Sequence, residues 1–139
     1  MTRWSRRAAG CLSVLCLAGV LAVGFAPFAS FLDRLTVHLF VLFGTDVPLA
    51  PDWMTPEDYG RVLNVAFFVP VGLSLAWWLR VRWGWALPLA VGLSMMIEVG
   101  QRVLPGLGRD PTLDDVACNV MGAAMGVVVV AALRSRRVD

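Results

Sequence analysis

Four apolar runs separated by short polar connections constrain this chain more than any other feature. Ala8 to Phe28, Val62 to Leu79 and Val116 to Leu133 carry no charge, and Trp83 to Gln101 carries only Glu98. An α-helix rises about 1.5 Å per residue, so roughly 20 apolar residues cross the roughly 30 Å of hydrocarbon in a bilayer. Each run approaches that length. The 139 residues are 58% hydrophobic with a mean hydropathy of +0.72, above the roughly 45 to 50% apolar content of soluble domains. The expectation is therefore an all-α fold. It is a single membrane domain over residues 1–139, a four-transmembrane-helix bundle with spans near 8–28, 62–79, 83–103 and 116–133. No length remains for a separate soluble domain.

Arginine placement predicts the orientation, because basic residues in short loops are retained on the cytoplasmic side. Arg3, Arg6 and Arg7 precede the first run, Arg80 and Arg82 sit between the second and third, and Arg134, Arg136 and Arg137 follow the fourth. The other connections hold Arg34, Arg61, Arg102 and Arg109 among eight aspartates and glutamates, Asp33, Asp46, Asp52, Glu57, Asp58, Asp110, Asp114 and Asp115. Both termini are expected in the cytoplasm of a bacterial plasma-membrane protein. The net charge of +2 then reflects topology and contact with anionic headgroups, and no nucleic-acid partner is implied. A cleaved signal peptide is the competing reading of the N-terminus. It fits less well, since the uncharged run extends to Leu32 and Ala26-Pro27-Phe28-Ala29 is a poor cleavage site. Cys11, Cys16 and Cys118 have no paired spacing, so neither a disulfide framework nor a zinc site is expected.

The longest connection, Ser30 to Gly60, should be external. Its middle, Leu35 to Phe43, is apolar but too short to span, which predicts a short interfacial helix or a re-entrant segment. His38, the single histidine, lies there and reads as an interface residue rather than a ligand. Further on, Thr55 can cap a helix, Pro56 suits its first position, and Glu57 and Asp58 complement its positive end. The second long helix should consequently begin near Pro56.

Polar residues inside the runs define a candidate site, since charge at membrane depth is costly without a partner or a task. In the second run Asn64, Phe68, Val71 and Leu75 share a stripe on which Asn64 is the polar member, and Pro70 is read as a packing kink. In the third, Ser94, Glu98 and Gln101 share a face. The alternative for Glu98 is an i,i+4 pair with Arg102 that snorkels outward. In the fourth, Asp115, Asn119, Gly122 and Gly126 lie on one stripe, and Gly122 and Gly126 form a small-residue seam for a neighbouring helix. Thr112 with Asp115 resembles a capping box, and Asp114 is equally well explained as a first-turn carboxylate. Alternating helix directions bring Asn64, Glu98, Gln101, Asp115 and Asn119 to one external face. Arg109, on the connecting turn, is the natural cation to fold over the carboxylates or to meet an anionic ligand group.

Three segments carry a family resemblance: Asn64-Val65-Ala66-Phe67-Phe68-Val69-Pro70-Val71-Gly72, Ser94-Met95-Met96-Ile97-Glu98-Val99-Gly100-Gln101, and Gly108-Arg109 through Leu113-Asp114-Asp115 to Gly122-Ala123-Ala124-Met125-Gly126. In order and spacing they resemble the VanZ-like family, over the second to fourth runs. The visible departure is confined to the turn that holds Asp110 and Asp114, and it leaves Arg109 and Asp115 in place. The first run and the long connection match only in hydropathy and placement. The resemblance implies a small bacterial membrane protein of the cell envelope, in a family whose name-giving member is associated with antibiotic resistance, namely to the glycopeptide teicoplanin.

Function is expected from the external polar site. The first expectation is binding of a lipid-linked cell-wall precursor, a lipid headgroup or a glycopeptide-type antibiotic by Asn64, Glu98, Gln101, Arg109, Asp115 and Asn119, without cofactor or metal. Pro70, Gly72, Gly122 and Gly126 are assigned to helix packing. The second is an intramembrane hydrolase or transferase acting on a lipid-linked phosphate. Glu98 or Asp115 would be its base, Arg109 its charge stabiliser, and a carboxylate-held divalent metal is compatible with it. No Ser, Cys or His stands in a recognisable catalytic arrangement, which weakens that reading. The third is a polar cluster that serves packing alone.

Overall fold

The structure, a computed structural model, describes residues 3–25, 29–46, 51, 53–77, 83–104 and 112–135. Five α-helices account for nearly all of them: α1 (Arg3–Phe25), α2 (Ala29–Val41), α3 (Pro56–Trp77), α4 (Trp83–Val103) and α5 (Leu113–Ser135). A π-helical turn, Leu42–Asp46, continues α2. There is no strand among the described residues, so the all-α expectation holds.

The helix boundaries follow local chemistry. Thr55 precedes α3, its N–H and hydroxyl both donate to the Asp58 carboxylate at 2.8 Å, and Pro56 takes the first helical position. Thr112 precedes α5 in the same way: its hydroxyl donates to Asp115 at 2.7 Å and accepts from the Asp115 N–H at 3.2 Å. Both helices thus start on a Thr-x-x-Asp cap, which satisfies first-turn groups that have no partner within the helix. α2 begins at Ala29, ahead of the expected Leu35, because the helix runs on through Asp33 and Arg34 where the apolar pattern breaks. Helix continuity needs only backbone bonds. The apolar pattern marks a buried face.

The described parts of α1, α3, α4 and α5 form the bundle. α3 and α5 run parallel and pack most extensively. Their seam is built on glycines: a Cβ on Gly72 would fall on the Ala123 carbonyl, one on Gly122 on the Val65 carbonyl, and one on Gly126 on the Val69 carbonyl. The expected Gly122 and Gly126 seam therefore has α3 as its partner, with Gly72 as the reciprocal gap. The helix is continuous through Pro70. α4 packs antiparallel to α5, with Ser94 bonded to Asn119, and Ala86, Ala90 and Ser94 of α4 are all fully buried. Small residues permit this close approach, as is usual where helices associate without water. Phe68, Val71, Leu75, Ile97, Val127 and Val130 fill the core between. At the opposite end from the Thr caps, an Arg134 guanidinium N–H donates to the Ala76 carbonyl at 2.6 Å and closes the last turn of α3.

Among the described residues two helices, α3 and α5, are long and apolar enough to cross a membrane, and in each only 33% of the apolar window is buried within the molecule. The described apolar stretch of α1, Ser13–Phe25, is shorter. Leu15, Trp85, Val99 and Val128 are among the large apolar side chains on the outside.

Candidate functional site

Helix direction decides where the site lies. α1 and α4 end, and α3 and α5 begin, at the same end of the bundle, and a cavity of about 450 Å³ opens between them. Its size falls within the roughly 300 to 1,000 Å³ of small-molecule sites. Val20, Val23 and Gly24 of α1, Phe67 and Phe68 of α3 and Ile97 of α4 supply apolar wall, and Thr36 of α2 reaches its side.

Five of the six expected site residues, Asn64, Glu98, Gln101, Asp115 and Asn119, line this cavity. Glu98, Gln101 and Asn119 form its inner part, 9%, 4% and 5% exposed. Each is placed by helix packing. The Asn119 amide donates to the Ser94 hydroxyl at 3.0 Å, which fixes α5 on α4. The Gln101 amide donates to the Gly24 carbonyl at 2.9 Å, at the last turn of α1. Close approach of α1 and α4 depends on Gly24 and Gly100, whose missing side chains make room for Ile97 and Phe25. The Asn64 amide donates to the Asp115 carboxylate at 2.5 Å, so the parallel helices α3 and α5 are pinned across the cavity mouth. Asp115 is thereby held on both oxygens, one by Asn64 and the other by Thr112.

Glu98 does not snorkel. Its carboxylate is turned into the bundle against the cavity, whereas Arg102 is exposed on the outside of α4. Arg109, the sixth expected residue, lies outside the described residues, as does Asp110. His38 is exposed on α2 and does not line the cavity. Among the described residues no group of three or more His, Cys, Asp or Glu side chains could hold a metal ion.

Sequence reasoning missed a cation at the mouth. Arg61, one turn before Asn64 on α3, lines the cavity and donates to Asp58 at 2.8 Å and to Asp114 at 3.4 Å. Glu57 stands beside it on the rim. The stripe that carries Asn64 and Phe68 extends backwards at helical spacing through Arg61 and Glu57, and this was the available signal. Asp114, assigned equally to helix capping and to the site, takes part in the rim through Arg61. Tyr59, buried on the same turn of α3, meets Phe40 edge-on at 5.9 Å and seats α2 against the bundle.

These features define a helical-bundle protein with a polar cavity at one end, walled by apolar residues and floored by buried amides and a carboxylate. Residues 12–134 match the family model described as VanZ/LLP1, and the chain belongs to that family. The match reaches beyond the three motif segments to take in most of α1, all of α2 and the connection to α3. No curated protein and no solved structure matches the chain.

Proposed function

We propose that this chain is a multi-pass membrane protein of the bacterial cell envelope, and that its cavity binds the headgroup of an amphiphile. A lipid-linked cell-wall precursor, a membrane lipid and a glycopeptide-type antibiotic are the candidate ligands. In this reading α1, α3, α4 and α5 are the four spans, both termini are cytoplasmic, and the cavity opens at the external headgroup level. The outward apolar faces of α3 and α5 support it, because the core helix of a soluble protein would be buried for most of its length.

One observation carries the binding proposal: space of about 450 Å³ is kept open over three buried polar side chains, Glu98, Gln101 and Asn119. Polar residues that served packing alone would close on one another. Here each of the two amides commits a donor to a neighbouring helix and still faces the cavity. Binding is favoured over catalysis because the described lining contains no Ser, Cys or His that could act as a nucleophile. Arg109 completes the site in this proposal as a fork over the mouth. The test is titration of the purified protein with lipid-linked precursors, comparing wild type with Glu98→Gln and Arg109→Ala. Weakened binding in both variants is expected, and unchanged affinity in both would refute the assignment.

A further inference from the structure

Three amides of the cavity are oriented by the acceptors that hold them. Gln101 meets the Gly24 carbonyl and Asn64 the Asp115 carboxylate, and since both partners only accept, the amide nitrogens must face them. The Asn119 nitrogen is committed in the same way to the Ser94 hydroxyl. Each side chain keeps its carbonyl oxygen and a second N–H. Among the described residues nothing bonds to these groups, and the three side chains line the cavity from α3, α4 and α5. Gln101 and Asn119 are more than nine-tenths buried. Their carbonyl oxygens are nonetheless not among the side-chain atoms enclosed without a partner, so the cavity is where they are reached.

A group that fits this lining must donate to carbonyls and accept from N–H groups, from three helices at once. Carboxylate and phosphate oxygens accept without donating, an ammonium donates without accepting, and a peptide amide offers a single N–H. Neighbouring hydroxyls each do both, and each turns about its own C–O bond to suit a fixed partner. They reproduce the contacts that water makes with such groups, so their entry loses no hydrogen bond. The ionic groups do not decide this choice. Asp58 and Asp114 engage Arg61, Asn64 and Thr112 engage Asp115, and Glu98 has an interaction of its own. The Arg109 fork proposed for the mouth leaves the amides' own requirement unchanged.

We infer that the cavity receives a polyhydroxyl group, a sugar ring or a glycerol unit, which bonds Gln101 and Asn119 at its inner end and Asn64 nearer the mouth. This rests on the amphiphile-binding reading and narrows it to hydroxylated headgroups, with the apolar wall of Val20, Val23 and Ile97 covering the adjoining carbon chain. A glycolipid headgroup and the sugar of a soluble glycoside share this chemistry.

The test uses the full chain in micelles of a zwitterionic detergent that carries no sugar. A short-chain glucosyl diacylglycerol, its analogue with an unsubstituted tetrahydropyran ring and short-chain phosphatidylcholine are titrated separately, with methyl glucoside as soluble competitor. The tetrahydropyran analogue keeps the ring and loses the hydroxyls without added bulk. The glucosyl lipid is expected to bind at least about tenfold more tightly than the other two, the worth of one or two net hydrogen bonds. Gln101→Met and Asn119→Leu should each lower that preference about threefold to tenfold while affinity for the tetrahydropyran analogue stays the same, whereas a merely structural loss would weaken both lipids alike. Asn64→Ala, at a half-buried position, should lower the preference in a protein whose buried floor is untouched. Displacement by methyl glucoside would also support the hydroxyl reading and would point to the soluble source. A preference that all three variants kept, or equal binding of the tetrahydropyran analogue or phosphatidylcholine, would overturn the inference and leave amphiphile binding standing. Binding of no lipid and no glycoside would overturn both.

Discussion

Replacing Gly122 with alanine tests the seam that sets the whole site. A Cβ there would fall on the Val65 carbonyl and crowd the Phe68 side chain. The obstacle is backbone, which has no rotamer to move. To restore van der Waals contact the two helices must part by about 1 Å, and a gap of that size forfeits a quarter to a half of each dispersion contact across it. Overpacking of this kind costs about 1 to 3 kcal/mol, or roughly a 5-fold to 150-fold loss in the folded fraction ratio. Gly92 on α4 is the control, because nothing lies within 4 Å of its added Cβ. Gly92→Ala should be neutral or slightly stabilising, given the lower helix propensity of glycine. Both variants would be unfolded reversibly in mixed micelles with increasing denaturing detergent and followed by circular dichroism. If Gly122→Ala unfolded at the same point as Gly92→Ala, the α3–α5 packing described above would be wrong.

Other perturbations follow the same logic. Thr112→Ala removes the cap of α5 and the hydroxyl that holds Asp115, and should cost about 1 kcal/mol in the same unfolding assay. Asn119→Ala and Ser94→Ala, combined in a double-mutant cycle, should show a coupling of about 0.6 kcal/mol, the usual size for interhelical hydrogen bonds in membranes. Arg134→Ala frees the Ala76 carbonyl, and faster amide exchange confined to the last turn of α3 is the expected signature. Gly100→Ala should be milder than Gly122→Ala, since the neighbour it meets is the Phe25 ring, which can turn aside.

Much of the fold was legible because the residues responsible act locally. Thr55, Pro56 and Asp58 mark the start of α3 by capping chemistry alone. The end of α4 at Val103 and the start of α5 at Leu113 bracket a segment whose sequence is rich in Gly and Pro. Helical spacing placed Asn64, Glu98, Gln101, Asp115 and Asn119 on inward stripes, and alternating direction brought them to one end, where the cavity lies. Lateral neighbours were not legible. Which helix meets the Gly122 and Gly126 seam, and that Gln101 reaches the Gly24 carbonyl of α1, depend on how the helices are arranged around the bundle. No periodicity within one helix encodes that arrangement. Arg61 was overlooked for another reason. It stands just before the apolar run, and a search for charge inside apolar segments begins one residue too late to see it.

The most direct measurement of the central claim is where a ligand headgroup rests. A lipid analogue with a photoreactive diazirine on the acyl chain next to its headgroup, the headgroup itself left unaltered, would be incorporated into vesicles with the full chain, irradiated, and its adducts mapped by peptide mass spectrometry. The proposal predicts adducts concentrated on the cavity segments, Leu63 to Phe68 of α3 and Ile97 to Gln101 of α4, and their loss in Glu98→Gln. Adducts distributed over outward residues such as Met95 and Val128, with the cavity segments unlabelled, would contradict it.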